Sequence, residues 1–245
     1  MQPKLLEEAT EHLKRVDRRM AQLIERAGPC TLKLRHEHSI FYSLLRSIVY
    51  QQLAGTAAAA ILGRVDELFP GALATPEQIA AESEERLRSA GLSRNKVLAL
   101  KDLAAKTLDG TVPQGSAIDQ MSDEEIVERV SQVRGIGRWT VEMLLIFRLG
   151  RTDVLPVDDF AVRKGFQRTY RLPDVPTKQQ MLKKGERWRP WRSIASWYLW
   201  RAAGEQPARK VKSVAKKSSK TAKAKSSRTA KPKSSRASAK KAKKR

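Results

Sequence analysis

The sequence predicts an all-α body with a basic arm behind it, and three observations carry that reading. Apolar residues recur at three-to-four spacing in nearly every long segment before residue 205. Cap-forming residues stand where several of those segments begin. No stretch alternates apolar and polar residues convincingly, as a half-buried strand would.

In chain order, LLEEATEHLKRVDRRMAQLIERAG predicts one long helix from Leu5 to Gly28. FYSLLRSIVYQQ (Phe41 to Gln52) and AAAAILGRVDELF (Ala57 to Phe69) follow as two more. Pro76 after Thr75 marks another start, and Ser93 opens SRNKVLALKDLAAKTL. Ser122 with Glu125 three residues on forms a capping box before SDEEIVERVSQV, and RWTVEMLLIFRLG runs from Arg138 to Gly150. Connections fall at Gly28-Pro29, Pro70-Gly71, Gly110 to Pro113 and Pro173 to Pro176. None of these is a linker, so residues 1–205 are expected to fold as one helical unit, two lobes facing a cleft.

Residues 206–245 are different in kind. Between Pro207 and Arg245 stand 17 of the 49 Lys and Arg and no acid, which places 17 of the +23 formal charges in the arm. Three octads, KSSKTAKA, KSSRTAKP and KSSRASAK, begin at Lys217, Lys225 and Lys233. So little apolar surface cannot offset the entropy of ordering, so the arm is expected to be disordered. A polycation of this composition binds polyanions, most simply nucleic acid, by neutralising phosphates and releasing counterions. Its Lys/Ala/Ser/Pro content resembles that of histone-like arms.

The single Cys30 excludes an internal disulfide and any thiolate-held cluster. No apolar run approaches the roughly 18 residues of a membrane span, and MQPKLLEEATEHLKR has no signal-peptide core. An intracellular monomer is expected, in the cytoplasm and nucleoid of a bacterium or the nucleus of a eukaryote, with no membrane partner.

Chemistry concentrates around VRGIGRW, from Val133 to Trp139. Gly135 and Gly137 permit left-handed backbone angles and close approach of another main chain. The helix after them starts with free N–H groups, the usual seat of a phosphate oxygen. An ordinary helix-helix turn uses glycines too. About twenty residues on, DVLPVDDFAVRKGF places Asp158 and Asp159 at the start of a further helix. One of them suffices as an N-cap; the second carboxylate is surplus to capping.

GIGRWTVEMLLIFRLGRTDVLPVDDFAVRKGF with ERWRPWRSIASWYLW resembles the helix-hairpin-helix DNA glycosylase superfamily, specifically its 3-methyladenine DNA glycosylase II branch. FYSLLRSIVYQQLAGTAAAAILGRVDELF and AGLSRNKVLALKDLAAKTLDG resemble family segments in family order, so the likeness covers residues 38–204. A separate N-terminal β-domain of some members has no counterpart in residues 1–37, which read as helix and turn.

The resemblance implies hydrolysis of the N-glycosidic bond of alkylated purines in double-stranded DNA, without a cofactor. It implies Asp159 as the catalytic carboxylate, with Asp158 as the alternative. Trp139 stands where lyase-competent relatives carry a nucleophilic lysine, so the strand is expected to stay uncut. Lys164 is expected to point elsewhere. Trp139 and Trp200 match pocket aromatics, Phe160 is placed in the same cleft, and Met143 stands where a better-known member has an aromatic. Trp188, Trp191 and Trp197, at three-to-four spacing, read as core. For the wedge that fills the gap left by a flipped base, Gln52 matches the family position, with Gln51 and Leu53 beside it. Gly135 and Gly137 are implied in phosphate binding, with Arg138 and Lys96 adding charge and a monovalent cation bridging at the hairpin. The competing reading is a non-enzymatic architectural DNA-binding protein, for which the aspartates, Trp139 and Trp200 have no use.

Overall fold

Several helix starts read from the sequence are closed by the expected side chains in the computed structural model of the chain, which describes residues 1–35, 38–69 and 73–204. Ser93 accepts the N–H of Lys96, and Thr75 with Gln78 and Ser122 with Glu125 form reciprocal capping boxes. Among the described residues there are twelve α-helices and no strand, as the fold class requires. They are α1 (Pro3–Val16), α2 (Arg18–Ala27), α3 (Ile40–Tyr50), α4 (Gly55–Glu67), α5 (Pro76–Ala81) and α6 (Glu84–Ser89). Then follow α7 (Arg94–Leu108), α8 (Asp123–Val130), α9 (Arg138–Leu144), α10 (Phe160–Tyr170), α11 (Lys178–Gly185) and α12 (Arg192–Gly204). The predicted connection at Pro70-Gly71 and the arm lie outside the described residues.

One expectation is corrected at the N-terminus. The helix predicted from Leu5 to Gly28 is two helices, broken at Asp17, whose extended backbone (φ −146°) ends α1 and caps α2. The buried Asp17 carboxylate accepts the N–H groups of Arg19 and Met20, the Tyr170 hydroxyl at 2.6 Å and the Trp188 indole N–H at 3.2 Å. Burial alone would raise this carboxyl; those donors, with Lys184 nearby, outweigh it and hold it below its ordinary value. Amphipathic spacing continues through the break, so periodicity gave no sign of it.

The helices fall into two packing groups. The terminal segments meet in one, where α1, α2, α10 and α12 pack together. In the other, α3, α5 and α6 pack on α7, and α4 packs on α3. α9 contacts α3 and follows α8 through the hairpin. One apolar core runs through both, from Ala9 in α1 to Ala202 in α12. Trp188 is fully buried in it and Trp197 nearly so, with Trp191 packed against its edge, as the spacing predicted.

α10 crosses α12 at close range. A Cβ placed on Gly165 would lie 1.9 Å from the carbonyl oxygen of Leu199, so only glycine allows the two backbones this approach. The crossing sets α12, which carries Trp200, against α10, which begins beside Asp159. Among the described residues no helix is long and apolar enough to cross a membrane.

Candidate active site

Asp159 reaches its place on a fastened loop. Ser193, in the first turn of α12, donates its hydroxyl to Arg151 O at 2.7 Å, and its Oγ accepts the N–H of Val154 at 3.0 Å. Asp153 accepts from Arg192 at 2.6 Å and from Arg189 at 2.5 Å. Serine and arginine from α12 and its approach thus pin the strand-like connection that delivers the aspartate.

The Asp159 carboxylate is buried, 8 % exposed, and receives three N–H donors. Oδ1 accepts from Val162 N at 2.8 Å, the helix cap expected of an aspartate before α10, and from Trp200 Nε1 at 3.1 Å. Oδ2 accepts from Trp139 Nε1 at 2.8 Å. The capping expected of one aspartate thus falls to Asp159, and the same carboxylate keeps both indole N–H groups as partners. Asp158 points away at 41 % exposure and pairs with Lys178. Lys164 donates to Gln167 at 2.8 Å, on its own helix.

The two indoles do more than the stacking read from the sequence, because their N–H edges orient the carboxylate. Trp139 stays 45 % exposed, leaving ring surface open. Trp200 stacks on Phe147, with centroids 5.5 Å apart and an interplanar angle of 29°. Phe147 escaped the sequence reading, although it lies one helical turn past Met143 and two past Trp139. Met143 and Phe147 line a cavity of about 300 Å³ with Arg35, His38, Ser43 and Arg46. Its wall thus shares a helix with Trp139 and a ring contact with Trp200. Phe160, the first residue of α10, is 71 % exposed.

The hairpin uses its glycines unequally. Gly135 has φ +78°, the left-handed region, but Gly137 is extended at φ −102° and serves as N-cap of α9. Nothing lies within 4 Å of where a Cβ on Gly137 would stand, so the expected close approach is free on its outer side. Val133 and Ile136 are buried and anchor the loop, and Asp102 accepts the N–H of Arg134 at 2.7 Å. A monovalent cation would take backbone oxygens here, donors of the right kind; those of Val133 and Gly135 already accept N–H groups from Ile136 and Gln51.

In the turn after α3, Gln52 has φ +58° and is exposed, and Leu53 is 38 % exposed. Gln51 is committed elsewhere: its Nε2 donates to Gly135 O at 2.9 Å. Two charges expected to face phosphates are also committed. Arg138 bonds Glu124 at 2.6 Å and approaches Glu142 at 3.4 Å, answering a buried acid. Lys96 donates to Val49 O at 2.6 Å and Gln51 O at 3.0 Å, satisfying carbonyls at the end of α3. Burial lowers the Lys96 ammonium from its usual value.

A glycine hairpin whose outgoing helix α9 bonds a buried carboxylate through Trp139 is the frame of this site. Residues 45–190 match the HhH-GPD superfamily base excision DNA repair protein family, and the chain belongs to it. It is 40% identical over 200 residues to DNA-3-methyladenine glycosylase 1 of Schizosaccharomyces pombe, covering 81% of this chain and 88% of that one. A solved structure of a Schizosaccharomyces pombe 3-methyladenine DNA glycosylase in complex with abasic DNA superposes with TM-score 0.69 at 38% identity, covering 79% of this chain and 95% of the other. A Bacillus halodurans DNA-3-methyladenine glycosidase gives TM-score 0.74 at 36% identity, covering 80% and 89%.

Proposed function

We propose that the chain is a monofunctional DNA glycosylase that hydrolyses the N-glycosidic bond of alkylated purines in double-stranded DNA, acting as a monomer. The observation that carries the reading is the Asp159 carboxylate, held by the indole N–H groups of Trp139 and Trp200 beside the hairpin. The likeness to enzymes named 3-methyladenine glycosylases supports the substrate class.

The chemistry follows from charge. When the base departs with the bonding electrons, positive charge builds on the sugar ring, and a fixed carboxylate beside it stabilises that charge. Donors already in place mean the carboxylate needs no reorientation during the reaction. Water then adds at the anomeric carbon and loses a proton, leaving an abasic site. A Schiff-base lyase would need an amine; Trp139 stands at the implied position, and Lys164 is tied to Gln167. N3- or N7-alkylated purines are cationic and leave readily, so an open aromatic face at Trp139 favours them without a strong acid. Hairpin N–H groups around Gly135 and Gly137 meet the phosphate, and the arm adds non-specific affinity.

Asp159→Asn tests the assignment, since asparagine keeps the helix cap. Release of 7-methylguanine from methylated duplex should fall by at least a thousandfold, with binding to an abasic analogue retained. Normal release would remove Asp159 from the mechanism. Alkaline treatment after the wild-type reaction should be required for strand cleavage.

A further inference from the structure

Lys96, Ala99 and Asp102 lie at three-residue spacing on α7 and so share one face of the helix. The Gln52 turn and the glycine hairpin both rest on that face. Lys96 Nζ binds Val49 O and Gln51 O, at the base of the Gln52 turn. Asp102 accepts the N–H of Arg134, and the Ala99 methyl lies 3.8 Å from where a Cβ on Gly135 would stand. Gln51 Nε2 then closes the triangle by donating to Gly135 O, 84 residues away in sequence.

We propose that Gln51 and Lys96 are positioning residues that join the Gln52 turn to the hairpin, so that wedge and phosphate grip move as one rigid jaw. The proposal rests on the base-excision reading of the site. Gln52 is the only non-glycine residue besides Arg171 with a left-handed backbone among the described residues. A left-handed glutamine costs energy and persists where its surroundings fix it. Lys96 fixes the carbonyl immediately before it; Gln51 fixes the side chain immediately before it. Without them the turn relaxes, and the wedge misses the gap in the base stack.

A wedge matters most where a base must be drawn out of a paired stack, and little where the lesion is already unpaired. Gln51→Ala and Lys96→Met should therefore lower the ratio of single-turnover excision from a paired duplex to excision opposite an abasic gap by tenfold or more. Lys96→Arg, which still presents N–H donors, should restore most of it. A second readout needs no catalysis: 2-aminopurine beside a tetrahydrofuran abasic analogue changes emission when a side chain enters the stack. At saturating protein both variants should lose most of that change. Equal losses on paired and gapped substrates, or an unchanged emission amplitude, would overturn the proposal. Gln51→Ala alters a surface side chain, so it decides the matter if Lys96→Met fails to fold. If wild type excises neither substrate, the base-excision reading fails, and the emission arm still judges the jaw.

Discussion

Trp139 Nε1 donates to Oδ2 of Asp159 at 2.8 Å, joining the first turn of α9 to the residue that caps α10. The indole is both a ring surface and a donor, and the two roles separate by mutation. Trp139→Phe keeps an aromatic face and deletes the N–H. A hydrogen bond to a carboxylate is worth about 1.5–3 kcal/mol, reduced here by partial exposure, so single-turnover excision should fall by about tenfold with little change in KM. Trp139→Ala should raise KM as well. A larger KM effect than rate effect for the phenylalanine variant would count against an orienting role.

Gly165 admits no substitution without moving α10 against α12. Gly165→Ala puts a methyl into the Leu199 carbonyl, a main-chain clash that no rotamer relieves. The expected cost is about 3 kcal/mol or more, seen as a fall of roughly 6–12 °C in Tm. Activity should drop further than stability explains, because Trp200 follows Leu199.

Glu142 supplies a pH signature. Its Oε2 is buried without a partner, and burial pushes the carboxyl up to about 7, with Arg138 pulling it down and Asp158 and Glu124 pushing it up. Because the folded value lies above the unfolded one, the folded protein holds the proton more tightly. The Glu142 contribution to stability should then fall as pH rises from about 4.5 to 7 and level off above. Glu142→Gln should raise Tm at pH 8 by several degrees, corresponding to about 1–3 kcal/mol, with the gap closing below pH 5. A constant gap from pH 5 to 8 would refute the linkage.

Deleting residues 207–245 removes 17 basic residues. The logarithmic salt slope of duplex binding should become shallower by several units, at about 0.9 per lost phosphate contact. Single-turnover excision at saturating enzyme should hold steady. An unchanged slope would point the arm at a partner other than DNA.

Much of the site was legible because it depends on residue type at fixed spacing. The hairpin needs glycine at Gly135, the cap before α10 needs an aspartate or its kin, and Trp188 and Trp197 fall on core spacing. What the sequence concealed is where polar groups spend their bonds. Arg138 and Lys96 read as surplus charge, yet one answers a buried glutamate and the other three-dimensional neighbours at the end of α3. Phe147 looked like any core aromatic on a long apolar helix, since its partner Trp200 lies far along the chain. Gly137 shows a further limit: glycine permits a left-handed angle without requiring one.

Asp159 is at once a helix cap and the carboxylate proposed for the chemistry, and this bears on how such a protein can lose its activity. Asparagine, serine and threonine also cap helices. A lineage can therefore abandon catalysis at this position by a single substitution and keep α10 intact, leaving a folded descendant with its hairpin still suited to holding DNA. The descent from enzyme to silent binder is short here and passes through no unfolded intermediate.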